Sequence, residues 1–169
     1  MAVSPINLAD GQRAERKLLI TVAEWTEGST KEREILGTRT EDSSIDYNPD
    51  IETTTDILGI NYTDMNRTQP QQDFDPYLIL GGSKLGAKLN DIRRRNALSE
   101  LNQFTVYIIT AFTGTAGAYE AERHTDCTIA YNSIGGDTNV NMPISVYFSN
   151  KITTGTVDKL ADDFEFTPA

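Results

Sequence analysis

Apolar and polar residues alternate with a period of two along most of this chain, and with a period near 3.6 over a single stretch. Leu85, Leu89 and Ile92 fall at i, i+4 and i+7, which places them on one face of a helix. Ser83 stands where it can cap the helix start, Asp91 is one turn ahead of Arg95 and can pair with it, and Asn96 reads as the stop. After a short link, Phe104, Val106, Ile108 and Phe112 alternate with Thr105, Tyr107, Ile109 and Ala111. Both faces of that strand are largely apolar, the pattern of a central strand covered by a second sheet on one side and by the preceding helix on the other.

Strands are predicted on either side of this centre. Lys17 to Trp25, with Leu18, Ile20 and Val22 on one face, forms a hairpin with Arg33 to Thr40 across Thr26 to Glu32. Ile60 to Met65 continues the sheet, and Asn66 to Pro76, rich in Gln and Pro, reads as loop. Tyr119 to Ile134 is a strand interrupted by charge, and Gly135-Gly136-Asp137 is a turn. Met142, Ile144, Val146 and Phe148 then alternate with Pro143, Ser145 and Tyr147, giving one buried and one wet face. Lys151 to Val157 and a short closing strand at Phe164 and Phe166 complete the pattern, which is that of a mainly β protein with one helix. Met1 to Ala14 shows no sustained period and reads as a flexible arm, either a disordered terminus or a segment that orders against a neighbouring subunit. Residues 15–169 then form a single domain.

The stretch from Asp42 to Leu58 is the most informative polar one. Ile45, Tyr47, Ile51 and Ile57, with Thr53 and Thr55, alternate with Asp42, Asp46, Asn48, Asp50, Glu52 and Asp56, so one edge is almost wholly acidic. Asn48-Pro49-Asp50 looks like a turn and Gly59 a terminator, which predicts a long projecting hairpin at about 41–59. Its plainest reading is a half-buried ribbon with a solvated face. The sharper one is that the acidic face meets something to be repelled, or that the ribbon docks on another subunit. A calcium loop is excluded: Asp46, Asn48, Asp50 and Glu52 copy the first ligand positions of a helix-loop-helix site, but Ile51 stands where a Gly is needed and Ile57 where the bidentate Glu belongs.

Composition narrows the class further. At 169 residues the chain can bury a core without staples, and the lone Cys127 cannot form an internal disulfide. With no secretory apolar segment and no run near membrane-spanning length, the expectation is a soluble protein of a reducing compartment. Fifteen basic against twenty-five acidic residues give a net charge of −10, which opposes phosphate-driven binding of nucleic acid. There is no phosphate loop, no nucleophile elbow and no paired Cys spacing, so no catalytic, cofactor-binding or metal-ligating residues are assigned. His124 and Cys127 are the only nucleophile-base candidates, and three residues apart on a regular strand they point to opposite faces. Arg93, Arg94 and Arg95 splay around the helix end, where they are either a solvated terminus favoured by the helix dipole or a source of pairing to acids of a neighbouring subunit.

The run Thr55-Asp56-Ile57-Leu58-Gly59, then Gln71-Gln72-Asp73-Phe74-Asp75-Pro76, Gly81-Gly82-Ser83-Lys84-Leu85-Gly86 and Ile92-Arg93-Arg94-Arg95-Asn96 resembles bacteriophage major tail proteins, the tail tube subunits, over roughly Leu18 to Phe166. The resemblance implies two packed antiparallel β-sheets, as a sandwich or partial barrel, flanked by one helix. It implies rings, usually hexameric, whose inner strands form one continuous barrel, stacked into a tube that conducts double-stranded DNA. A long hairpin and the termini bridge successive rings in that family. Tape-measure, tail terminator and distal tail proteins are the implied partners, and the virion tail, assembled in the host cytoplasm, is the implied location. About four strands from each of six copies, about 4.8 Å apart, give a barrel of roughly 37 Å before strand tilt, wide enough for a duplex. On this reading Asp42, Asp46, Asp50, Glu52 and Asp56 are candidates for an acidic lumen or inter-ring face, with no cofactor and no membrane insertion. The alternatives are a solitary β-sandwich binding module of a virion or cell surface, a hydrolase using carboxylates, and the tube of a bacteriocin-like or secretion machine.

Overall fold

The computed structural model of the chain describes residues 3–169. Its helix α1 spans Lys84–Arg95, where the Ser83 hydroxyl accepts from the Gly86 amide and Asn96 closes the last turn in the left-handed region. Leu85, Leu89 and Ile92 are fully buried, each contributing about 1.5–3 kcal/mol by removal from water. A carboxylate from the sheet seats the helix start: Glu34 accepts from the Tyr77 hydroxyl, the Ser83 hydroxyl and the Leu85 amide. The last turn is held by Arg95, which bridges Asp91 and Glu100, while Lys88 reaches Glu27 and Glu100. These pairs hold the Asp91 and Glu100 carboxyls below their ordinary range, chiefly through hydrogen bonds from Arg95.

Among the described residues eleven strands make up the sheets, in chain order β1 Leu19–Glu27, β2 Thr30–Ile35, β3 Ile45–Asp46, β4 Asp50–Thr55, β5 Asn61–Arg67, β6 Gln71–Phe74, β7 Phe104–Thr115, β8 Ala118–Tyr131, β9 Ile144–Tyr147, β10 Ile152–Val157 and β11 Phe166–Pro168. All pairings are antiparallel. One layer runs β2-β1-β7-β8-β10-β11 and the other β8-β9-β6-β3, so β8 belongs to both. It changes layers where Asp126 takes a positive φ of 55°, with His124 and its predecessors facing β10 and Thr128 onward facing β9. The result is two packed antiparallel sheets with one flanking helix and no closed barrel, as the alternation of the sequence and the resemblance both implied.

The main core lies between the layers and under α1. Ala23, Trp25, Val106 and Ile108 from one sheet meet Phe74, Ile129, Ile144 and Val146 from the other, and the helix stripe closes the side. A smaller core covers the opposite face of the first sheet, where Val22, Tyr107, Ile109 and Ala121 pack under Val157 and Phe164. Thus β7 is apolar on both faces because both are covered, one of them by the carboxy-terminal segment and not by the helix. Arg33 lies over the Phe164 ring at 4.2 Å and binds Glu24 at 2.6 Å, which accounts for a carboxylate only 5% exposed.

Several expectations change. Asn66 to Pro76 is not all loop, because Gln71–Phe74 is a strand between β9 and β3. Its Gln72 is buried and satisfied by Thr21 and Ser43. Asn61–Arg67 does not continue the main sheet but pairs with β4 alone. Ser145, expected on a wet face, is buried and accepts from the Asn132 amide. Of the arm expected over Met1 to Ala14, Met1 and Ala2 lie outside the described residues. Ile6 and Asn7 are tied to the end of β7, through a bridge to Thr113 and bonds to Phe112 and Gly114.

Candidate functional site: a hairpin outside the core

Asn48, with a φ of 43°, and Pro49 turn the chain away from the body after β3. Beyond them the chain forms a two-stranded hairpin, β4–β5, whose register runs from Asp50 opposite Arg67 to Thr55 opposite Asn61. The six residues of β4, against seven of β5, project it by about 20 Å. Its base is tied by the Gln69 amide donating to the Tyr47 carbonyl and the Asn48 side chain donating to the Gln69 carbonyl. Every residue of both strands is exposed.

The turn therefore lies at Asp56 to Ile60, not at Asn48-Pro49-Asp50, and the hairpin occupies 50–67 instead of about 41–59. Asn48-Pro49-Asp50 has the composition of a turn because it is the bend at the hairpin's root. The predicted alternation survives in the register: Ile51, Thr53, Thr55, Asn61, Thr63 and Met65 share one uncharged face, and Glu52, Thr54, Tyr62 and Asp64 share the other. Neither face is covered by this chain, so the half-buried ribbon holds only at β3, where Ile45 packs against the core and Asp46 is exposed, and is overturned for the hairpin. Ile57 at the tip is 102% exposed and Leu58 77%, with Ile51, Ile60, Tyr62 and Met65 also in solvent.

One acidic residue of the predicted set has a structural task here. The Asp56 carboxylate accepts from the amides of Leu58 at 2.8 Å and Ile60 at 3.0 Å and from the Tyr62 hydroxyl at 3.2 Å. Those bonds, the Ile60 amide foremost, hold its carboxyl below the ordinary range. Gly59 supplies the positive φ of 80° that the turn requires. The tip is thus a fixed loop that displays its aliphatic side chains. Asp50 is paired with Arg67 at 3.6 Å. Glu52 stands opposite Asp64 in the ladder, a like-charge pair. Asp42 and Asp46 lie instead in a shallow hollow with Asp73 beside the hairpin root.

The structure separates the basic run. Arg95 is committed to Asp91 and Glu100 within the chain, and Arg93 donates to Asn90. Arg94 is exposed and makes no ion pair among the described residues. His124 and Cys127 do not point to opposite faces. A bulge opposite Thr105 pairs Cys127 with Phe104 and His124 with Val106, and so puts both on one face. They still form no reactive pair: the thiol donates to the His124 carbonyl, burial pushes its pKa up, and the imidazole packs against Phe148 and contacts Glu122. Among the described residues no group of three or more His, Cys, Asp or Glu is placed to hold a metal ion. Among the described residues no helix is long and apolar enough to cross a membrane.

A two-layer antiparallel fold with one flanking helix and an uncovered hairpin defines the class by architecture. No family model matches the chain, and no curated protein sequence does. Solved structures do share the fold. A chain of the sheath-tube complex of PVC, an extracellular contractile injection system in its extended state, superposes with a TM-score of 0.50 at 12% identity, covering 92% of this chain and 100% of that one. A chain of the structure of the anti-feeding prophage cap, the AFP tube-terminating cap, superposes with a TM-score of 0.52 at 14% identity, covering 92% of this chain and 99% of that one. The chain therefore shares the fold of these two chains, one of them from an extracellular contractile injection system, and spans nearly the whole length of each.

Proposed function

We propose that this protein is a structural subunit that self-assembles into rings, six copies to a ring, which stack into the tube of a tail-like particle. The observation that carries the reading is the β4–β5 hairpin, fully exposed on both faces in the single chain. A lone two-stranded ribbon is at best marginally stable in water, so its natural cover is another copy. The fold likeness and the free edges at β2, β3 and β11 support the same conclusion, since joining copies edge to edge would pair them. Purified protein examined by electron microscopy and sedimentation should form rings or tubes, whereas a strictly monomeric species across concentration and ionic strength would overturn the proposal.

Within this reading the hairpin and the amino-terminal arm bridge successive rings, with Arg94 available for pairing between copies. The lumen is predominantly acidic, to which Asp42, Asp46 and Glu52 contribute, while Asp50 and Asp56 are engaged by Arg67 and by the hairpin tip. A wall of this sign lets double-stranded DNA slide, because Lys and Arg would hold phosphates by releasing counterions. At a screening length of about 8 Å wall carboxylates act on a duplex that nearly fills the bore. Replacing Asp42 and Asp46 with Lys should slow genome passage through intact tubes, less so at high salt. Unchanged passage at low salt, or a net basic lumen, would contradict this part. The likeness to injection-system chains favours a second reading, in which the tube belongs to a phage-derived injection machine and not to a virion. Nucleic acid inside purified particles would separate the two.

A further inference from the structure

Strand β7 outruns its neighbour in the sheet. Its pairing with β1 ends at Thr110 opposite Leu19, yet it continues to Thr115, so residues 111–115 have no β1 beside them. The ladder to β8 on the other side shifts register over the same stretch, between Thr110 and Gly114. An edge left open in this way is a template for another extended segment. In the single subunit the amino-terminal arm fills it. Ile6 bridges Thr113, and the Asn7 amide donates to the Phe112 carbonyl at 2.9 Å. The Asn7 side chain donates to the Gly114 carbonyl at 2.8 Å, and the Ser4 hydroxyl reaches Glu120. The segment that fits this edge is therefore on view in the structure.

The hold is slight. Residues 3–7 are all exposed, Val3 at 93% and Ile6 at 64%, so docking the arm removes little apolar surface from water. What remains is a few exposed hydrogen bonds, each contributing about 0.5–1.5 kcal/mol at most. The pairing is also short, a single bridge on an edge with room for more. The chain sets that limit, because from Asn7 it has to return to Leu19, which lies opposite Thr110 and close to the bridge at Thr113. Residues 8–15, which make the return, contain no helix or strand, and only Leu8 among them is half-buried. Extended, they span up to about 28 Å. A segment held this weakly on a link this long can exchange its own seat for the identical seat on another copy, losing and regaining the same bonds.

We infer that in the assembly residues 4–7 of each copy occupy the β7 edge of an adjacent copy, and that the arm docked on its own β7 is the closed form of the free subunit. The inference rests on the proposal that copies of the chain assemble, and it names the seat through which the arm joins them. Freed from the return to its own β1, the arm can extend the ladder along residues 111–115. Each copy gives one arm and receives one, so the exchange passes from copy to copy.

The test uses full-length protein carrying Ile6→Cys and Thr113→Cys on one chain. Antiparallel partners flanked by a bond like that of Asn7 to Phe112 have Cα atoms about 4.5 Å apart, within the range a disulfide spans. The native Cys127 is buried and does not compete. Oxidised as a free subunit, the variant should close within one chain and run as a monomer on a non-reducing gel. Reduced, assembled and then oxidised, it should give a covalent ladder of several chains. Subunits locked closed before assembly should need at least about tenfold higher concentration to assemble, and a reductant should restore them. A mixture of the two single-cysteine proteins, assembled and oxidised, should give a linked pair without any chain carrying both changes. Particles that yield only chains closed on themselves, locked subunits that assemble as readily as reduced ones, or mixed particles with no linked pair would overturn the inference while leaving the tube reading intact. Failure of the wild type to assemble under any condition would overturn both.

Discussion

Helix α1 and hairpin β4–β5 use apolar residues in opposite ways. Leu85, Leu89 and Ile92 vanish into the core of the chain that makes them. Ile51, Ile57, Leu58, Ile60 and Met65, on a segment of similar length, vanish into nothing that this chain supplies. The polar groups differ in the same sense: Glu34 and Arg95 anchor the helix to other elements, whereas Asp56 serves only the turn in which it sits. A side chain stabilises a fold only through what covers it, so the helix serves the subunit and the hairpin, on the proposed assembly, serves a contact.

The comparison breaks most sharply at the helix. Leu89→Ala should lower subunit stability by about 2–5 kcal/mol in denaturant melts, and assembly should fall only as far as the folded fraction does. Glu34→Ala leaves Tyr77, Ser83 and the Leu85 amide without their shared acceptor and should cost about 1.5–3 kcal/mol by the same measurement. Leu58→Asp should change monomer stability by no more than about 0.5 kcal/mol while raising the concentration needed for stacked assembly at least about tenfold, the inverse of the helix variants. A melt that shifts as far for Leu58→Asp as for Leu89→Ala would erase the distinction.

The smallest effect is local and depends on pH. Because the folded tip holds the Asp56 carboxyl below its unfolded value, its stabilisation is complete above the ordinary carboxylate range and is lost as pH falls through the lowered value. Amide exchange at Leu58 and Ile60, relative to the intrinsic rate, should therefore stay constant from neutrality down to about pH 5 and accelerate below the ordinary Asp range near 3.9. Asp56→Asn should abolish that acceleration without moving the global melt.

How much of this was legible depends on where each signal lies. The helix carried its own cap, period and stop within fourteen residues, Ser83 to Asn96, and all were realised. The buried alternation of β7 was equally plain. Strand β6 was not, because three of its four residues are polar and Gln72 is tolerated in the interior only through Thr21 and Ser43, which are 51 and 29 residues away. The shared face of His124 and Cys127 was hidden by a bulge, which shifts parity without marking the local pattern. In the hairpin the two-residue alternation was readable, but Asn48-Pro49-Asp50 outweighed the true turn at Asp56 to Ile60. The lack of cover was unreadable altogether, since nothing in an alternation tells which face finds a partner.

Hydrogen exchange across β4–β5, in the isolated subunit and in the assembled state, tests the central claim most directly. The ladder amides from Ile51 to Thr55 and from Tyr62 to Met65 should exchange rapidly in the monomer, while those of β7 and α1 are protected, and should become protected on assembly. Amides of the hairpin already as slow as those of β7 in the monomer, or still fast inside assembled particles, would contradict it.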